Sequence, residues 1–104
     1  MRLRICTWNV NSVRLRAEQA ARFVQEQAPD VLCLQEIKCR AEQFPHEAFA
    51  ALGYTHSAVH GQKGYHGVAT VSRLPLKELG RHDWQDNGEA RHVGVEVAGK
   101  LILE

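Results

Sequence analysis

The alternation of apolar and polar residues along the first third of the chain predicts a strand, a helix and a second strand. The segment from Leu3 to Trp8 is rich in Ile, Thr and Trp, and polar residues at 9–12 follow it, which is typical of a buried strand ending in a turn. From about Leu15 to Ala28 the apolar positions fall on one helical face, and Pro29 ends that helix. Residues 31–34 form a continuous apolar run, typical of a strand covered on both faces. At this spacing the three elements form a βαβ unit with parallel strands.

The spacing of apolar residues changes in the remainder of the chain. A second helix is predicted from about Ala41 to Leu52, with Gly53 as its stop. Its predicted buried stripe comprises Phe44, Ala48, Phe49 and Leu52. Short strands, expected to be antiparallel, follow at Tyr54–Val59, Gly67–Ser72 and Arg91–Val97. This order predicts an α/β fold, a β-sandwich with outer helices.

Composition describes an ordinary folded protein, since 44% hydrophobic and 24% charged residues exclude disordered and collagen-like classes. No apolar run approaches the roughly 18 residues that a membrane-spanning helix needs, and the N-terminus lacks a signal-peptide pattern. The cysteines do not have the paired spacing of a zinc site, and we interpret them as reduced residues buried in the fold: Cys6, Cys33 and Cys39. Such cysteines favour a cytoplasmic location.

The chain is expected to be part of a larger domain. Residues 100–104 begin another apolar strand without a turn or polar tail after it, so residues 1–104 are interpreted as the N-terminal portion of one domain. Net charge is +1, with +3 in residues 1–40 and −2 in residues 41–104. This weak asymmetry is compatible with a local patch that faces phosphates.

The first candidate site is Glu36, where the second parallel strand leaves the sheet. Asn9 and Asn11 end the first strand, which points the same way, so the three side chains are expected to converge. A carboxylate flanked by amide oxygens suits magnesium, which takes one or two protein carboxylates and keeps positions for water and a phosphate oxygen. Alternatively, Glu36 is a solvated residue at a strand end and the asparagines cap a turn. Spacing alone does not separate the two interpretations.

The second candidate is the glycine-rich segment 61–67, GQKGYHG. Its glycines permit close approach of a ligand, and Lys63 and Tyr65 are then placed to touch phosphates. Alternatively, the segment is a hairpin loop whose glycines supply positive φ, which is the commoner case. Arg14 and Arg16 likewise suit either phosphate binding beside a metal or a solvated helix start.

Three motifs, in this order, resemble those of the exonuclease III-type AP endonucleases. Residues 7–14, TWNVNSVR, resemble the family's opening motif, and residues 34–38, LQEIK, resemble its Leu-Gln-Glu-Thr-Lys motif. Residues 61–69, GQKGYHGVA, resemble the loop and strand that follow. Two departures stand out, since Ser12-Val13 replaces the usual Gly-Leu and Ile37 replaces the usual Thr.

The resemblance implies a hydrolase for DNA repair with the four-layer, deoxyribonuclease I-like fold, of which this chain is the N-terminal part. It implies that Asn9 and Glu36 are catalytic and that Glu36, Asn9 and Asn11 lie at the metal, magnesium or alternatively manganese. The contacts with DNA that it implies come from Arg14, Lys38, Gln62, Lys63, Gly64 and Tyr65.

The family cleaves the phosphodiester on the 5′ side of an abasic site and trims 3′ ends of duplex DNA. The resemblance therefore implies duplex DNA as the partner, no membrane, and a monomer when full length. The family's later motifs are not found within these residues, so the 104-residue chain alone is expected to be inactive. Two alternatives stay open, a phosphoesterase of the wider superfamily acting on a non-DNA substrate and a non-catalytic DNA-binding fragment.

Overall fold

The computed structural model describes residues 3–61 and 66–80 and, beyond them, strands at 94–97 and 101–103. In this described part the chain forms two sheets and two α-helices. Neither helix has the length and apolar character needed to cross a membrane.

The first sheet has four strands, β1 (Ile5–Asn9), β2 (Val31–Gln35), β3 (His56–His60) and β4 (Val68–Ser72). Their order across the sheet is β1-β2-β4-β3. β1 and β2 are parallel, whereas β4 is antiparallel to both of its neighbours. Helix α1 (Ala17–Gln27) connects β1 to β2, so the predicted βαβ unit is confirmed.

Helix α1 begins later than the apolar pattern predicts. The prediction began near Leu15, but residues 13–16 form a turn and the helix starts after it. At the other end Ala28 is left-handed, with a φ of 46°, and its N–H donates to the carbonyl oxygen of Val24. Pro29 follows, and because it has no N–H it does not continue the helix.

The second predicted helix, Ala41 to Leu52, is wrong as a single element. It is a 3₁₀ turn (Ala41–Gln43) followed by the short helix α2 (His46–Ala50). The break comes at Pro45, whose ring disfavours a helical conformation in the residue before it. Phe44 is accordingly extended, with φ of −65° and ψ of 136°.

The break also changes which residues of the predicted stripe are buried. Phe44 and Phe49 are buried, and their rings stack with centroids 5.5 Å apart. Leu52 is half-buried, whereas Ala48 is exposed, contrary to the prediction. Gly53 follows α2 with a φ of +96°, at the predicted stop.

Both faces of the first sheet are covered along β2, as its continuous apolar run predicts. On one face Leu32 and Leu34 join the main core together with Val24 of α1. On the other face Val31 packs in a second cluster that includes Leu76. The helix and the residues after β4 therefore lie on opposite faces of the sheet.

The second sheet is antiparallel and contains β5 (Leu76–Gly80), β6 (Gly94–Val97) and β7 (Leu101–Leu103). Strand β5 was not predicted, because its residues LKELG include two charges and a glycine and no β-branched side chain. A sheet with a helix on one face and the start of a second sheet on the other corresponds to the predicted sandwich with outer helices.

The three cysteines are free thiols, and only Cys39 is fully buried, while Cys6 and Cys33 are half-buried. Burial raises the pKa of the Cys33 and Cys39 thiols above the usual value. These two thiols are thus held in their protonated, unreactive form.

A polar cluster fastens the end of the sheet where β1 and β2 begin. The Asp30 carboxylate accepts hydrogen bonds from the Arg4 backbone N–H and from the Arg73 guanidinium, both at 2.8 Å. The buried Tyr54 hydroxyl donates to the Pro29 carbonyl oxygen at 2.6 Å. Residues just before β1, just before β2 and just after β4 are thereby held together.

Asp30→Asn should destabilise the protein at neutral pH by about 1 kcal/mol, a low figure because the carboxylate is partly exposed and screened. The Arg4 N–H and the Arg73 guanidinium hold the pKa of Asp30 below its usual value of 3.8. The pKa of Asp30 is therefore lower in the folded protein than in the unfolded chain. Its contribution to stability is fully present at pH values above 3.8 and is lost as pH falls through the pKa of the folded state.

Urea unfolding of the protein and its variant across this pH range checks the effect. The difference between them should be present at pH 7 and should shrink at acid pH. Glu26→Gln, which removes an exposed carboxylate from α1, is the matched control. A difference independent of pH would contradict the assignment.

Candidate active site

Asn9 and Glu36 meet at the edge of the sheet where β1 and β2 end. The parallel register places Asn9 beside Gln35, the last residue of β2, so Glu36 follows directly. The Asn9 side-chain amide donates a hydrogen bond to Oε2 of Glu36. The predicted convergence of these two side chains is present in the structure.

Asn11 and Lys38 form a second pair beside the first. The Lys38 ammonium donates to Oδ1 of Asn11, with 2.5 Å between the atoms. In each pair an asparagine at or just beyond the end of β1 is hydrogen-bonded to a charged residue that follows β2. The charged residue is negative in the first pair (Glu36) and positive in the second (Lys38). The amide oxygen of Asn11, predicted to face a metal, here faces an ammonium group.

Backbone pairing continues past the strand ends and fixes both pairs. The N–H of Ser12 donates to the Glu36 carbonyl oxygen at 2.8 Å, and that of Val13 donates to the Ile37 carbonyl oxygen at 3.0 Å. Val10, Val13 and Ile37 are buried. The apolar residues of the two segments are therefore anchored in the core while the polar ones between them face outward.

Several site residues have a left-handed backbone. The φ angles are 48° at Asn11, 79° at Ser12, 53° at Glu36 and 55° at Lys38. Positive φ is uncommon outside glycine, and asparagine tolerates it better than most residues. Unfavourable backbone conformations tend to collect at functional sites, where the surrounding structure enforces them.

The C-terminal end of the glycine-rich segment lies against residues 36–38, which follow β2. The Lys38 N–H donates to the His66 carbonyl oxygen at 2.8 Å, and the Ile37 N–H donates to that of Gly67 at 3.1 Å. Gly67 has a φ of +91°, and a Cβ there would lie 2.7 Å from Cγ1 of Ile37. A glycine is required at this position for both reasons.

Gly61 has a different role from the one predicted. A Cβ at Gly61 would lie 2.4 Å from the backbone nitrogen of Ala41. The close approach that this glycine permits is therefore to the chain's own backbone. The segment connects the antiparallel neighbours β3 and β4, which agrees with its interpretation as a hairpin loop. The predicted DNA-binding residues Gln62, Lys63, Gly64 and Tyr65 lie outside the described residues.

An open depression includes the Asn11–Lys38 pair and is largely cationic. Its lining consists of Asn11, Ser12, Arg14, Leu15, Arg16 and Lys38. Both arginines are candidate phosphate contacts from the sequence, but the leucine between them, which is 77% exposed, is not. No periodicity signals such a residue, because it lies in a turn.

The ligands available in the described part suit a loosely held divalent cation. No group of three or more His, Cys, Asp or Glu side chains converges there. One carboxylate with the Asn9 amide beside it fits magnesium, which usually keeps several waters and takes further oxygens from a substrate phosphate.

Residues 6–101 match the model of the endonuclease/exonuclease/phosphatase family. Exodeoxyribonuclease III of Haemophilus influenzae is 38% identical over 89 residues, which cover 86% of this chain and 33% of that protein. An AP endonuclease from Archaeoglobus fulgidus has a similar structure, with a TM-score of 0.85 and 35% identity over 94% of this chain and 38% of that one. The 3′ phosphatase NExo from Neisseria, solved with a product DNA hairpin, gives a TM-score of 0.82 and 36% identity over the same shares. The chain thus spans about a third of the length of these proteins.

Ser12→Gly should stabilise the protein, by about 1 kcal/mol, because glycine adopts a φ of 79° without the clash that a Cβ causes. Urea unfolding measures the change. The control is Ala48→Gly, at an exposed position within α2, which should instead destabilise by up to about 1 kcal/mol. The same sign for both variants would mean that Ser12 is not strained.

Proposed function

The chain belongs to the endonuclease/exonuclease/phosphatase family, and on this premise we propose that the full-length protein is a DNA-repair nuclease of the exonuclease III type. It cleaves DNA phosphodiesters on the 5′ side of abasic sites and trims 3′ ends of duplex DNA. The observation that carries the proposal is the pair of contacts Asn9–Glu36 and Asn11–Lys38 at one sheet edge. This edge offers a carboxylate for a cation and an ammonium group for a phosphate.

The similar proteins support DNA as the substrate class. Their names describe an exodeoxyribonuclease III, an AP endonuclease and a 3′ phosphatase with a product DNA hairpin. The described cationic side chains beside the site suit the same substrate, since phosphates are the sequence-independent contacts of a DNA-binding protein.

Glu36 is the proposed ligand of the divalent cation, which is magnesium or alternatively manganese. Such a cation polarises a phosphoryl oxygen and stabilises charge on the leaving oxygen. Asn9 orients the Glu36 carboxylate through its hydrogen bond. One carboxylate leaves room for the phosphate oxygen and water that complete the coordination of magnesium.

Lys38 and Arg14 are the proposed phosphate-binding residues of the described part. Residues 62–65 are proposed to contact the DNA backbone as well. Asn11 holds the Lys38 ammonium at 2.5 Å through a neutral amide. A neutral partner fixes the position of the ammonium without cancelling its charge, so that charge still attracts phosphate.

The chain supplies part of the proposed catalytic site. It corresponds to about a third of the length of exodeoxyribonuclease III from Haemophilus influenzae, and we place it as the N-terminal portion of one catalytic domain. The base for the attacking water is then supplied from outside these 104 residues. The enzyme is proposed to act as a monomer in the cytoplasm, where its free thiols stay reduced.

Glu36→Gln in the full-length protein should lower incision of an abasic-site duplex by roughly a hundredfold or more at saturating magnesium, since it removes the charge that holds the cation. Binding of the same duplex in EDTA should change much less. Glu26→Gln is the matched control for loss of one carboxylate. Incision within a few-fold of the parent would exclude Glu36 as a ligand, and release of phosphate from an inositol phosphate without DNA cleavage would exclude the nuclease assignment.

Asn11→Asp separates two roles for Asn11. If Asn11 positions Lys38, the new carboxylate neutralises the ammonium, and duplex affinity in EDTA should fall while its salt dependence weakens by up to about one unit of slope. If Asn11 is instead a metal ligand, as the sequence motif suggests, half-maximal incision should need less magnesium while affinity in EDTA stays unchanged. The structure favours the first result.

A further inference from the structure

Two large apolar side chains are exposed in the described part of the chain, and their surroundings differ. Leu15 is 77% exposed and lines the depression beside the active site, together with Arg14 and Lys38. Ile5 is 37% exposed and lies in strand β1. Only Leu15 therefore has cationic groups of the site around it.

The turn that carries Leu15 is firmly anchored. The N–H of Arg16 donates to the carbonyl oxygens of Ser12 at 3.2 Å and Val13 at 3.3 Å. Val13 is fully buried and donates to Ile37 across the strand ends. Hydrogen bonds therefore link the backbone of the turn that carries Leu15 to the segment that carries Glu36.

We propose that Leu15 packs against the deoxyribose and base edges of the bound duplex, between phosphates that contact its cationic neighbours. The inference rests on the proposed function and adds a residue to it. Along a DNA strand, apolar sugar surface alternates with phosphate, and a leucine between two arginines matches that alternation. Proteins that enter the minor groove also bring apolar side chains, leucine among them, into contact with the bases, although they insert them between base steps.

The charges around Leu15 favour DNA over protein as its cover. A protein surface packed against Leu15 would also remove water from Arg14, Arg16 and Lys38. Such desolvation costs free energy unless each charge is paired. A DNA backbone covers the leucine and neutralises the same cations with its phosphates.

An apolar contact has a signature that a phosphate contact lacks. Losing a phosphate contact reduces the slope of log affinity against log salt by about one unit, because fewer counterions are released on binding. Loss of the leucine contact should weaken binding equally at every salt concentration. The two kinds of residue in this depression can therefore be told apart by their salt dependence.

The experiment uses the full-length protein, EDTA, and a duplex with one abasic site, titrated at several salt concentrations. Leu15→Ala should weaken binding by about threefold to tenfold with an unchanged slope, since part of an apolar side chain's burial is lost. Arg14→Ala should reduce the slope. Ile5→Ala, the matched loss of an exposed apolar side chain, should leave binding unchanged. Leu15→Lys should steepen the slope by about one unit.

Three results would overturn the inference in different ways. If Leu15→Ala binds DNA like the parent but has a lower melting temperature, the leucine packs on the rest of the protein. If the folded parent neither binds nor incises the duplex, the proposed function is wrong, and the inference that rests on it is wrong too. An intact parent with an unaffected Leu15→Ala variant removes the inference alone.

Discussion

The parallel pairing of β1 (Ile5–Asn9) with β2 (Val31–Gln35) is the constraint on which the candidate site depends. Parallel strands end at the same edge of a sheet, so residues that follow them meet without any long-range loop. The register that pairs Asn9 with Gln35 brings the Asn9 amide to the Glu36 carboxylate. A slip of one residue would turn Asn9 to the opposite face of the sheet. Cys6 and Trp8 of β1 oppose that slip, because they pack against the main core and would turn to the other face.

Beyond the strand ends, the site contains strained backbone residues whose cost is offset by neighbouring buried side chains. Left-handed residues such as Asn11, Glu36 and Lys38 each cost free energy, of the order of 1 kcal/mol. The buried side chains of Val13 and Ile37, with the hydrogen bond between their backbones, offset that cost. The polar side chains are consequently displayed by backbone that is rigid although it is irregular. Such rigidity is what precise placement of a carboxylate beside an ammonium requires.

The sequence predicts the parts of this arrangement that follow from topology, and misses those that follow from local backbone geometry. An apolar run, a helical face and a second apolar run are enough to place Asn9 next to Glu36. The contact between Asn11 and Lys38 requires left-handed φ at both residues, which no apolar pattern encodes. Pro45 interrupts the second predicted helix, although the apolar stripe continues across it. In β5 (Leu76–Gly80) the propensity is weak, and burial against the first sheet determines the strand.

Charge at the site follows from the same geometry and bears on how a nuclease of this kind would work. The described part of the depression carries Arg14, Arg16 and Lys38. Glu36, whose carbonyl oxygen accepts from the N–H of Ser12 in its lining, supplies one carboxylate. Excess positive charge opposes binding of a bare divalent cation, because the cation is repelled by its neighbours. A phosphate placed on those neighbours reverses the local sign and adds an oxygen ligand. Under the proposed function, DNA and metal should therefore each strengthen the binding of the other, and by linkage the two effects are equal in size.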